Sequence, residues 1–87
     1  MSVRLERGVV HLVGDCVVED AEALIDLLQA APGRAVDLGA AGALHAAVVQ
    51  VLLALAPPFL GEPEDDFTRL WVLPALRRAA SHQSVIG

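Results

Sequence analysis

From Leu38 to Gly61 the chain carries no Asp, Glu, Lys or Arg, and its middle, "LHAAVVQVLLALA", is apolar at nearly every position. That stretch constrains the fold more than any other. As a helix over residues 44–56 it would be about 20 Å long at 1.5 Å per residue, short of a hydrocarbon core of about 30 Å. Pro57 and Pro58 then stop it. It reads as a buried helix, one that must be covered on more than one side.

With 87 residues the chain has room for one domain, expected over residues 1–80, with 81–87 as a flexible tail. Folding at this size buries roughly 60% of the unfolded surface, so the core is modest. Hydrophobic residues make up 55% and the mean hydropathy is +0.57, so some apolar surface is expected to be covered by a partner. Six Arg, no Lys and a net charge of −5 provide no basic face, which excludes nucleic acid and anionic membrane as partners. The start, "MSVRLERGVV", lacks the apolar run of a signal peptide, and a lone Cys16 cannot close an internal disulfide. Both point to the cytoplasm.

The order of elements is β-β-α-β-α followed by a C-terminal helical segment. "SVRLE" and "VVHLVG" flank Arg7-Gly8 as a hairpin, with Gly14-Asp15 ending the second strand. "EDAEALIDLLQAAPG" is a helix capped by Asp20, with Ala23, Leu24, Leu27, Leu28 and Ala31 on its apolar face and Pro32-Gly33 closing it. "RAVDLG" is a third strand, parallel to one of the first two because a helix precedes it. "PPFLGEP" reads as a loop. In "PEDDFTRLWVLPALRRA", Pro63 at the first helical position, acids in the first turn and Arg77-Arg78 in the last indicate a helix that Pro74 kinks or ends, although "LWVL" alone also suits a strand. The fold class is α/β, a small mixed sheet with helices on one face.

The stretch "DLGAAGALHAAVVQVLLAL" resembles, without a gap, the signature of STAS domains (sulfate transporter and anti-sigma factor antagonist), roughly "DLSGVxxIDSSGLGVLLxL". "VVHLVGDCVVEDAEALIDLLQ" is similar to the family's preceding strand and first helix, so the likeness covers residues 3–56. The C-terminal third departs from it. The resemblance implies a non-catalytic regulatory module whose partner is kinase-like, sigma-related, or a chemotaxis or transporter component. In regulated members a serine at the start of helix two is phosphorylated; the matching positions here are His45, Ala46, Ala47 and Val48, and neither alanine has a hydroxyl. The switch is therefore expected to be missing, with no phosphate anywhere in residues 44–52. The resemblance places partner binding at His45, Ala46, Ala47 and Gln50.

His45 also has a purely structural reading: at the positive end of a helix an uncharged ring accepts a hydrogen bond from a first-turn N–H and acts as a weak cap. A catalytic or zinc grouping of His11, Asp15, Cys16 and His45 needs the hairpin and helix two at one end of the sheet, and no nucleophile elbow, phosphate loop or metal-ligand spacing accompanies them. Glu62, Glu64, Asp65 and Asp66 lack the alternation of a calcium loop. No catalytic residue, cofactor or metal is expected. All the aromatic side chains, Phe59, Phe67 and Trp71, fall within residues 59–71, where they are expected either to fold over helix two or to form a homodimer interface. The alternative to a regulatory module is a structural subunit or homodimer of a larger assembly.

Overall fold

The structure, a computed structural model, describes residues 2–86, with side chains for residues 2–79. It is a two-layer α/β domain in which a four-stranded mixed sheet, in the order β1-β2-β3-β4, carries its helices on one face. β1 (Val3–Glu6) and β2 (Val9–Cys16) form the expected hairpin. Arg7 and Gly8 both have positive φ, 52° and 78°, the tight turn whose twist matches that of the flanking strands. After α1 (Val18–Ala30), β3 (Ala35–Leu44) returns parallel to β2.

β3 is longer than the sequence pattern suggests. "AAGAL" continues the strand instead of loosening it, because two register shifts, between His11 and Val13 and between Gly14 and Cys16, are absorbed by an extra residue of β3 each time. Gly39 and Gly42 lie in those irregular stretches. At Gly42 a Cβ would collide with the Asp15 carboxylate and come within 3.2 Å of the Gly14 backbone. The period-two pattern therefore slips, and Leu38 and Ala41 both point into the core.

Helix α1 begins one turn earlier than expected. Val17 is its N-cap, with no acceptor on its side chain, and Asp20 sits at the third helical position, where its Oδ2 accepts the Val17 N–H at 2.8 Å. Its core face is Ala21, Leu24 and Leu28, while Ala23 and Leu27 are half-buried. At the other end the Arg34 guanidinium donates to the Leu27 carbonyl at 2.7 Å, supplying the basic group that the last turn lacks. Helix α2 (Ala46–Leu55) closes on Ala56 in the left-handed conformation, φ 45°, with its N–H bonded to the Leu52 carbonyl.

The last third differs most from the sequence reading. Phe59 and Leu60 form a short fourth strand, β4, parallel to β3, where a loop was expected. Gly61 follows with φ +72°, and a Cβ there would meet the Gly39 N at 2.9 Å. Pro63 is buried in the connection rather than first in the helix; Asp65 caps instead, its Oδ2 accepting the Thr68 N–H at 2.9 Å. That hydrogen bond lowers the Asp65 pKa below the usual carboxylate range, so the cap is kept above that range and lost as acid protonates it. Helix continues through Pro74 by way of a π segment, Thr68–Val72, into α3 (Leu73–Ile86). Pro74 has no N–H for the Leu70 carbonyl and its ring crowds that oxygen, so the turn widens and the Leu73 N–H bonds to Thr68 O instead. Residues 81–86, expected as a tail, continue α3, and Gly87 lies outside the described residues.

One core joins the layers: Val10, Leu12, Val36 and Leu38 from the sheet, Leu24 from α1, Val48 and Leu52 from α2, Leu73 and Leu76 from α3. Thr68, 1% exposed, ties the π segment to β3, its Oγ1 lying 3.0 Å from Gly42 O and 2.9 Å from Asp65 Oδ2. We expect Leu24→Ala to destabilise the fold by about 3 kcal/mol through the cavity it leaves. Ala56→Gly should stabilise it by about 1 kcal/mol by relieving the left-handed conformation. Urea melts of the two variants check both.

Candidate protein-binding surface

The bulged end of β3 delivers the chain to the start of α2. The His45 N–H donates to the Cys16 carbonyl at 2.9 Å, extending the β2–β3 pairing by one bond and fixing where the helix begins. His45 is the N-cap: its Nδ1 accepts the Ala47 N–H at 3.0 Å, and its carbonyl accepts from Val48 and Val49. The expected cap is present. An Nδ1 that accepts leaves the ring proton on Nε2, on a side chain that is itself exposed. Ala46 and Gln50 are also exposed, and Ala47 is half-buried.

Between α1 and α2 runs a shallow open groove of about 390 Å³. Ala21 and Ile25 form one wall and Ala47, Val51, Ala54 and Leu55 the other, with the amides of Gln29 and Gln50 as its polar groups. None of these side chains is charged. The groove arises because α1 and α2 face each other through small residues at Ala21, Ala47 and Ala54, too short to fill the space between the helix axes. Of the four residues expected to bind a partner, Ala47 and Gln50 line the groove, while His45 and Ala46 sit at the N-terminal end of the helix that forms its wall. Val17 and Val18, 52% and 49% exposed, add apolar surface next to the Cys16–His45 hydrogen bond.

Of His11, Asp15, Cys16 and His45, the last three meet where β3 hands over to α2, but their side chains take separate structural roles, and His11 lies apart from them. Cys16 points into the core, whereas His11 lies on the helix-free face of the sheet with its Nδ1 3.3 Å from Asp37 Oδ2. Asp15 Oδ1 accepts the Ala43 N–H at 2.9 Å, a structural bond that holds the β3 bulge. Among the described residues no group of three or more His, Cys, Asp and Glu could hold a metal, and no helix is long and apolar enough to cross a membrane. The His11–Asp37 pair belongs to a row, Arg4, His11, Asp37 and Leu60, that crosses all four strands. Sequence reasoning missed it because a pairing between parallel strands depends on register. The only local signal was an outward position for each residue in its own strand.

The aromatic side chains separate into two environments. Phe59, beside Val36 in β4, is half-buried against the core and is not presented with the other two. Phe67 and Trp71 are 67% and 69% exposed and face away from α2, which is covered instead by α1 and by Leu73 and Leu76 of α3. No family model, curated protein or solved structure matches the chain.

Burial pushes the Cys16 thiol up to about 11, with the charges of Asp20 and Asp15 adding to the shift. Such a thiol is the reverse of an activated nucleophile. Because the folded pKa exceeds the unfolded one, the neutral thiol's contribution to stability is complete below the ordinary thiol value of 9.0 and is lost as pH rises towards about 11. Folded protein at pH 8 should therefore resist a thiol-reactive disulfide reagent that labels Cys16 fully in urea. In addition, Cys16→Ala should flatten the alkaline end of the stability profile between those two pH values.

Proposed function

We propose that the protein is a cytoplasmic, non-catalytic protein-binding module that holds its partner on the α1–α2 groove and the His45 end of α2. The observation that carries this reading is the groove itself: an open, uncharged channel between two helices, with one amide at each wall. Its chemistry suits the apolar ridge of a partner helix, with Gln29 and Gln50 setting the register by hydrogen bonding. Binding without charge also fits the resemblance to STAS domains. Ala46 and Ala47 stand where regulated members carry the serine that is phosphorylated, so the surface stays permanently in its uncharged form. On this reading the partner is kinase-like, sigma-related, or a component of a chemotaxis or transport system, and His45 serves as a cap and an exposed donor rather than as a catalyst.

The second reading, a structural subunit that assembles with itself, is favoured by the exposed Phe67 and Trp71. A photo-crosslinking side chain at Gln50, expressed in the native host, separates the two. The expected result is one adduct with a different protein, absent when the same probe replaces Arg4 on the opposite face of the sheet. No adduct at Gln50, or only a crosslinked pair of this chain, overturns the binding-module reading.

A further inference from the structure

The π segment and the start of α3 hold a stripe of side chains away from the core. Phe67, Leu70 and Trp71 are 67%, 59% and 69% exposed, while Thr68, Leu73 and Leu76 on the inner side are at most 2% exposed. Pro74, also exposed, continues the stripe. Its two ends carry opposite charge. Glu64 and Asp66 stand before Phe67, and Arg77 and Arg78 follow Pro74, all four exposed. Asp66 meets Arg69 at 2.6 Å within the chain, but among the described residues Arg77 and Arg78 have no ion-pair partner.

A stripe ordered acid, apolar, base is complementary to itself run in reverse. Two copies laid antiparallel about a two-fold axis near Trp71 bring the acids of each against Arg77 and Arg78 of the other, and Phe67, Leu70, Trp71 and Pro74 meet between them. A parallel pairing sets like charge against like and forfeits this. We propose that the chain forms a symmetric homodimer by antiparallel pairing of this stripe, with Trp71 as the central anchor and Asp66 opposite Arg78 of the second copy. The surface is separate from the α1–α2 groove, so a dimer leaves that groove free and the two proposals fail independently.

Trp71 is the sole tryptophan, so its fluorescence reports this surface alone. On dilution from hundreds of micromolar, the mass by sedimentation equilibrium is expected to fall from dimer to monomer while the emission moves to the red with the same midpoint. Trp71→Ala, at an exposed position of the monomer, should raise the dimer Kd by about thirtyfold or more, the scale of an aromatic anchor. Asp66→Arg and Arg78→Asp should each weaken the dimer by about tenfold and together restore it to within about threefold of the wild type. Circular dichroism of each variant shows that the monomer fold is kept. A monomeric mass at hundreds of micromolar overturns the proposal. So does a dimer indifferent to Trp71→Ala, or one in which the two charge reversals add without rescue.

Discussion

The parallel pairing of β2 with β3 is the contact on which the rest of the structure depends. It brings two strands separated by α1 into register over residues 9–16 and 35–44, and it ends in the His45–Cys16 hydrogen bond that sets the first turn of α2. The pairing is irregular for a physical reason. β3 spends two more residues than β2 over the same length, and each extra residue needs a small side chain where the backbone bulges. Gly42 fits against Asp15 and Gly14 only because it has no Cβ, and Asp15 in turn binds the Ala43 N–H. The π segment is attached to the same place, since Thr68 Oγ1 reaches Gly42 O. One bulge therefore positions the end of β2, the start of α2 and the approach to α3.

The helical layer follows from that placement. Helix α2 is apolar on almost every side and lies between α1 and α3, which cover it unequally. Leu73 and Leu76 reach the common core on the α3 side. On the α1 side, alanines at positions 21, 47 and 54 leave the groove. The surplus of apolar residues noted in the sequence is thus real in the fold: the most exposed of it is the Phe67–Leu70–Trp71 stripe, and the rest lies along the groove, at Val17 and Val18, and at Leu5 and Leu60. In a domain this small, leaving such side chains in water forgoes burial worth about 1.5–3 kcal/mol for each one that could be fully covered.

Much of this was legible from local patterns. Arg7-Gly8 between β-branched runs marked the hairpin, the leucine spacing marked α1, and Pro57-Pro58 marked the end of α2. What was not legible depended on distant partners. The glycines and alanines of residues 39–43 look flexible in isolation and become strand only because β2 lies alongside them. Asp20 looks like a cap, yet the helix starts at Val18 because Val17 leaves the strand there with an N–H that Asp20 can accept. Pro74 looks like a helix stop, and a widened turn accommodates it. At the candidate site, the cap role of His45 was readable from its position. The groove beside it was not, because it exists only between two helices whose spacing is set by the fold.

Partner binding as proposed needs an uncharged surface at the start of α2 and along the groove, so the most direct measurement places a charge there. Ala47 lies in the first turn of α2 and lines the groove. A carboxylate at that position interacts favourably with the helix N-terminus, by about 0.3–1 kcal/mol, so Ala47→Asp should not unfold the domain. The measurement is the amount of the Gln50-crosslinked partner retained by Ala47→Asp relative to the wild type, alongside the thermal midpoint of each. The expected result is a loss of about tenfold or more in the adduct, with a midpoint equal to or above that of the wild type. Full retention of the partner by the charged variant would contradict it.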